Sequence, residues 1–341
     1  MRKYLHQSFH GRRHIGLYIA VTLITFIGYF LGQVPMLLML YRVMDNDSSI
    51  GTEELNQFMG NPDFSIFGIG ANTGFLLLLC TFIFAMLFFY FTFKYLHKRG
   101  FKTLITAASK VRWGRVAFGF GFWLILTGIG EYFFYSQAPE DYIYGFEIKK
   151  FIPLLLLSIF ILPIQTSFEE VMFRGYLMQG LGSILNYPFM PLIITSVAFA
   201  AIHGANPEVS QFGMGVMMTY YIGAGLLLGL ITLLDDGMEL ALGVHWGTNF
   251  FGAVFMGYSG AAIQTDCLWK TSNLDPMAMT MAFLMMGVIF IFVCNSLYKW
   301  KDWGYLFRNI SGQRFRLSQE GEGSLNDSLN IDYTTLLDDD K

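Results

Sequence analysis

Charge is what this chain lacks. Asp, Glu, Lys and Arg make up 14% of its 341 residues, against about 25% in ordinary soluble domains. In their place stand 54% hydrophobic residues, Phe (35) and Met (19) prominent among them. Such a deficit excludes a soluble globular domain and leaves a polytopic membrane protein, in keeping with a mean hydropathy of +0.47. Cysteine is also scarce: Cys80, Cys267 and Cys294 form no C-x-x-C pair, so no paired-thiol motif is available. Cys80 and Cys294 lie inside apolar runs and read as small core hydrophobes. No signal peptide is expected, because the first apolar run is too long and has no small-residue cleavage site.

What is present is a set of long uncharged or nearly uncharged runs. Eight are expected to cross the bilayer: residues 15–40, 74–93, 116–135, 151–180, 188–203, 213–234, 240–260 and 277–298. The expected fold is therefore all-α, a polytopic membrane bundle of about eight transmembrane helices. Pro35 is expected to kink the first run and Pro163 the fourth. Gly225-x-x-x-Gly229 in the sixth invites close helix contact. Residues 43–72 are polar and acidic and read as an external loop, and 136–150 as a short outer loop. The 94–115 stretch carries seven basic residues and no acidic one, and suits a helix lying on the membrane surface. Glu131, near the outer end of the third run, reads as a tolerated interfacial carboxylate.

The net charge of −3 hides a strong segregation. Seventeen Lys and Arg fall in the N-terminal arm, the 94–115 loop and the tail. Arg42, Lys149, Lys150 and Lys270 alone fall on the opposite side. By the positive-inside rule both termini are expected in the cytoplasm of a multi-pass cell-membrane protein.

Within this apolar background, S-F-E-E-V-M-F-R-G-Y-L (Ser167 to Leu177) stands out. A charge at the bilayer centre costs about 2.5–3.5 kcal/mol even on a lenient scale, so Glu169, Glu170 and Arg174 must pair, face protein, or do chemistry. On a helix Glu170 and Arg174 share a face and are in reach of a salt bridge. Glu169 is turned about 100° from Glu170 and stays unpaired. Further polar residues sit in later runs: His203 four residues after Phe199, and His245 with Asn249 four residues on. Gly243 and Gly247 flank His245 and admit a close backbone. A buried glutamate suits a general base, histidines hold water or metal, and an asparagine amide can donate to an oxyanion. From helix rise, Glu169 lies roughly 16 Å, His203 about 22 Å and His245 about 8 Å from the cytoplasmic ends of their helices. One shared cavity open to the cytoplasm is expected.

E-E-x-x-x-R at 169–174, F-x-x-x-H at 199–203 and H-x-x-x-N at 245–249, in that order on three spans, resemble the CAAX-protease and bacteriocin-processing (CPBP, or Abi) family of intramembrane proteases. The resemblance covers roughly residues 150–260. It implies a CAAX prenyl protease-like intramembrane endopeptidase, a hydrolase of a family commonly labelled metalloprotease. Glu169 would be the base, His203 and His245 would hold the water or a metal, and Asn249 would be the oxyanion donor. Glu170 and Arg174 would organise the site or grip substrate. Glu169, His203 and His245 could supply three zinc ligands, but Glu169 would then be less free as a base; H-E-x-x-H is absent. Zinc-dependent and metal-free mechanisms both stay open.

The implied organisation is a cytoplasmic basic arm (1–14), accessory helices 1–3 with their loops (15–149) and a catalytic core of helices 4–7 (150–260). A helix 8 region (261–301) and a cytoplasmic tail (302–341), disordered from about Gly312, complete it. Expected partners are the lipid bilayer and a membrane-associated peptide or protein substrate, prenylated ones included, and no nucleic acid. Competing readings are a non-proteolytic membrane adaptor or bacteriocin-immunity-type protein, and a transporter with a Glu/His proton relay.

Overall fold

The computed structural model describes residues 4–47 and 50–312. The expected tail disorder falls outside them. The first apolar run forms α1 (Ile15–Gly32) and α2 (Val34–Asn46), broken at Gln33. Pro35 occupies the first turn of α2, where its missing N–H is no loss. α3 (Thr52–Gly60) follows, then α4 (Ala71–His97), the short α5 (Lys102–Ile105) and α6 (Trp113–Gln137). The fourth run is one long rod in pieces: α7 (Ile148–Phe160), α8 (Leu162–Glu170), π-helical turns over Val171–Leu177, and α9 (Met178–Gly182). It breaks at Ile161, just ahead of Pro163, and the Trp246 indole donates to the Ser158 carbonyl beside the break (3.0 Å). Then come α10 (Phe189–Ile202), α11 (Pro207–Phe212), α12 (Met214–Leu234), α13 (Glu239–Phe250) with π-helical turns over Phe251–Phe255, and α14 (Pro276–Tyr298).

The molecule is a polytopic helical membrane bundle. Among the described residues, six helices are long and apolar enough to cross a bilayer: Ile15–Asn46, Ala71–His97, Trp113–Gln137, Ile148–Gly182, Met214–Leu234 and Pro276–Tyr298. The fifth and seventh runs give shorter helices, α10 against α12 and α13 against α6. The bundle is apolar outside as well as inside. Leu23, Ile125, Ile129, Val288 and Phe292 are exposed, as lipid-facing side chains are, while Trp123, Phe89 and Phe290 fill the core.

Small residues set the closest contacts. A Cβ on Gly243 would overlap the Val116 carbonyl, and one on Gly119 would lie 2.7 Å from the Leu240 carbonyl, so α6 and α13 touch backbone to backbone. A Cβ on Gly225 would stand 2.8 Å from Ser196 Cα, which brings α12 equally close to α10.

The loops depart from expectation in three places. The 94–115 stretch is no surface helix; it takes in the end of α4 and the start of α6, and between them lies only the four-residue α5, whose Leu104 is fully buried. Part of the basic arm is anchored: Tyr4–His10 is a 3-10 helix buried over residues 4–9, because Tyr4, Leu5 and Phe9 have an interior to fill. The acidic 43–72 stretch extends α2 and adds α3, whose Phe58 packs with Phe64, Phe67 and Leu40 in a small core of its own.

The two ends of the bundle differ. At one, Arg112 pairs with Asp235 (3.0 Å) and Glu239 (2.5 Å), tying the basic loop to the α12–α13 turn. At the other lies a small sheet with no counterpart in the sequence pattern: β1 (Tyr142–Tyr144), β2 (Met256–Tyr258) and β3 (Trp269–Thr271) in the order β1-β3-β2. β1 runs antiparallel to β3, with Ile143 opposite Lys270, and β2 runs parallel to it. The seventh helix therefore stops at Phe255 rather than continuing to Gly260, whose backbone is left-handed (φ +82°).

Candidate active site

Helix α8 delivers two adjacent glutamates into the bundle, and its period sends them different ways. Glu170 is fully buried and accepts from Arg174 Nη1 at 2.7 Å. Arg174 is itself locked. Its second amino group faces the Gly225 carbonyl (3.4 Å), and its guanidinium lies 4.5 Å above the Phe199 ring. With 1% exposure, it holds α8, α10 and α12 together and has no reach toward a substrate. Of the two roles open to this pair, the geometry leaves organisation.

The same Glu170 oxygen also faces His245 Nδ1 at 2.7 Å. A carboxylate paired to arginine accepts, so Nδ1 donates, and in the neutral ring Nε2 keeps its lone pair. That Nε2 lies 3.5 Å from Glu169 Oε2. Glu169 Oε1 accepts from Gln165 Nε2 (2.5 Å), whereas Oε2 has no hydrogen-bond partner. Gln165 Oε1 in turn accepts from Asn249 Nδ2 at 3.0 Å. Arg174, Glu170 and His245 thus form one hydrogen-bonded set and Glu169, Gln165 and Asn249 a second, and the two meet where His245 Nε2 approaches Glu169 Oε2.

His203 stands apart from both sets. It caps α10, and its Nδ1 donates to the Phe199 carbonyl at 2.7 Å. Its ring stacks on Tyr221 (centroids 4.5 Å apart) and touches Phe199. It lines the same cavity as Glu169, His245 and Asn249, of about 510 Å³. This cavity also takes in Glu131, Glu208 and several aromatic and methionine side chains. Its walls include β2, Thr271 of β3 and the sheet-side ends of α6 and α14. Among the described residues, none of the 98–112 loop or the 235–239 turn lines it. The cavity therefore lies in the sheet-side half of the bundle, away from the basic end. α10 is short and carries His203 at its far end, which draws the cavity toward the sheet.

The suggested ligand set Glu169, His203 and His245 does not assemble as one. Glu169 and His245 approach each other, whereas His203 is engaged with Phe199 and Tyr221. Among the described residues no three His, Cys, Asp or Glu side chains gather at metal-ligating distance.

Three further residues belong to the site. Gln165 is four residues before Glu169, so helical spacing alone places it on the same face. Glu131, expected at the interface, instead lines the cavity and accepts from the Tyr142 hydroxyl at 2.9 Å. Glu208 follows His203 in α11, and burial pushes its carboxyl above the usual range. Hydrogen bonds from the Glu208 and Ala262 amides and from Tyr221, and the nearby His203, oppose that rise. Its inward turn has no signal in the sequence.

All three motifs fall inside a stretch that is similar to known proteins. Residues 149–251 match the family model of type II CAAX prenyl endopeptidase Rce1-like proteins. The uncharacterized protein YyaK of Bacillus subtilis (strain 168) is 32% identical over 164 residues. That stretch is 48% of this chain and 54% of the relative, so the match spans about half of the relative's length. No solved structure matches.

Proposed function

Because residues 149–251 match the family model of type II CAAX prenyl endopeptidase Rce1-like proteins, we propose that this chain is an intramembrane endopeptidase that cleaves membrane-associated peptides with a glutamate-activated water. The observation that carries the reading is the Glu169 carboxylate: its Oε2 has no hydrogen-bond partner and lies 3.5 Å from His245 Nε2, and the residue lines a cavity of about 510 Å³. A water over this pair donates one hydrogen to each acceptor and directs its own lone pairs at a peptide carbonyl. As the carbon–oxygen bond forms, Glu169 takes the proton and later gives it to the leaving amine. Glu170, neutralised by Arg174, fixes the His245 tautomer and holds the ring in place. Asn249 Nδ2, tethered by Gln165, is the amide available to the developing oxyanion. The engaged Nδ1 of His203 leaves its Nε2 to position water or the scissile carbonyl from another part of the cavity wall.

On this reading residues 150–260 are the catalytic core, and the helices of 15–149 supply part of the cavity wall through Tyr29, Phe75 and Phe82. The test is cleavage of membrane-peptide libraries by the purified full chain in detergent, wild type beside Glu169→Gln. The variant keeps shape and hydrogen-bonding reach but not basicity, so it is expected to fold normally and lose cleavage. Asn249→Ala is expected to retain a remnant, since one oxyanion donor is worth roughly a hundred- to a thousand-fold. Wild-type turnover by Glu169→Gln would remove the proposal. A folded wild type inert across the library would favour the adaptor reading.

A further inference from the structure

The cavity holds three carboxyl groups, Glu131, Glu169 and Glu208, and among the described residues no lysine or arginine lines it. The nearby Arg174 guanidinium is consumed by Glu170, Gly225 and Phe199. Two of the three glutamates are more than nine-tenths buried, and each has an oxygen with no hydrogen-bond partner: Glu169 Oε2 and Glu208 Oε2. The rest of the wall is apolar, with Phe75, Phe82, Met217, Phe283 and Met286. A peptide cut three residues from its end would bring its terminal carboxylate within about 10 Å of the cleaved bond, at ~3.3–3.6 Å per residue. There it would meet other carboxyls and no cation, the arrangement in which a buried charge is most costly. A lysine or arginine would instead meet opposite charge at Glu131 and Glu208, which leaves Glu169 to the water.

We infer that the substrate segment is apolar, carries a lysine or arginine within a few residues of the cleaved bond, and keeps its own C-terminus outside the cavity. The segment is thus cut at an internal bond. This rests on the proteolytic reading but concerns charge selection, which binding can test without turnover. Burial raises the Glu208 carboxyl, and an incoming cation would offset that cost.

The experiment uses the full chain in detergent micelles and fluorescent, C-terminally amidated apolar peptides that differ at one position: Lys, Met or Glu. A farnesyl-cysteine peptide with a three-residue extension is added as free acid and as amide. Binding is read by anisotropy on Glu169→Gln, and cleavage on the wild type. The Lys peptide is expected to bind about tenfold tighter than the Met peptide, a gap of ~1.4 kcal/mol, and the Glu peptide weakest. The amide is expected to bind tighter than the acid. Glu208→Gln or Glu131→Gln, each added to Glu169→Gln, should shrink the Lys advantage. Equal Lys and Met affinities overturn the inference, as does a preference for the free acid or a Lys advantage unchanged in both variants. If nothing is cleaved but the binding order holds, the proteolytic reading fails and charge selection stands. Cleavage without the binding order overturns charge selection and leaves proteolysis standing.

Discussion

Glu170 joins the arginine to the histidine, since one of its oxygens faces both Arg174 and His245. Removing the arginine strands a fully buried carboxylate and releases Phe199 from its cation, so Arg174→Ala is expected to cost about 3–5 kcal/mol in stability. Glu170→Gln should also lose activity, because the His245 tautomer is no longer fixed. The double variant is expected to be little worse than either single one, since each already breaks the pair. Thermal melts of the three variants check this, and simple additivity would show that the pair is not a unit. Gln165 gives a second test. Gln165→Ala frees both Glu169 and Asn249 from one anchor, and kcat is expected to fall by up to about a hundredfold, the usual penalty for misplacing reactive groups by an ångström. A wild-type kcat would show that the anchor is idle. The E-E-x-x-x-R spacing makes the Glu170–Arg174 pair legible in the sequence. The long-range half, Glu170 to His245 across 75 residues, is not, because helical period says nothing about which neighbour a face meets.

At the scale of elements, glycine spacing marks the points of close approach, but the partner helix comes only from the structure. Gly243 meets Val116, Gly119 and Phe120 of α6, two residues before His245 on α13. Gly243→Val would push α13 off α6 and carry His245 and Asn249 with it. It is expected to lower both thermal stability and cleavage, whereas Gly252→Ala, where a Cβ meets nothing within 4 Å, should leave stability near wild type. Equal melting temperatures for Gly243→Val and wild type would contradict the backbone contact. The helix that carries Glu169 and Glu170 and the helix that carries His245 and Asn249 both loosen into π-helical turns directly afterwards, at Val171–Leu177 after Glu170 and at Phe251–Phe255 after Phe250. Such turns recur at functional sites, yet they have no composition of their own, which is why neither is legible. The sheet is hidden for a related reason. Three strands of three residues are too short for a period-2 pattern to emerge from aromatic-rich loops.

At the scale of the whole molecule, the position of the cavity and the distribution of charge have a joint consequence. The basic loop, with Lys98, Arg99, Lys102, Lys110, Arg112 and Arg115, gathers at the end where Arg112 closes the bundle on Asp235 and Glu239. The sheet end carries Lys149, Lys150 and Lys270 beside a larger number of acidic residues, Glu140, Asp141, Glu147, Asp266 and Asp275 among them. If basic residues mark the cytoplasmic face, the termini are cytoplasmic and the cavity lies toward the outer face of the membrane. Substrate then approaches from outside or from the outer leaflet. The prediction is checked in intact cells on a chain whose Cys80, Cys267 and Cys294 are replaced by alanine. Ser272→Cys, exposed just after β3, should react with a membrane-impermeant maleimide at once. Ser109→Cys, exposed in the basic loop, should react only after the membrane is permeabilised. The opposite labelling order would place the cavity on the cytoplasmic side and show that charge bias does not orient this bundle.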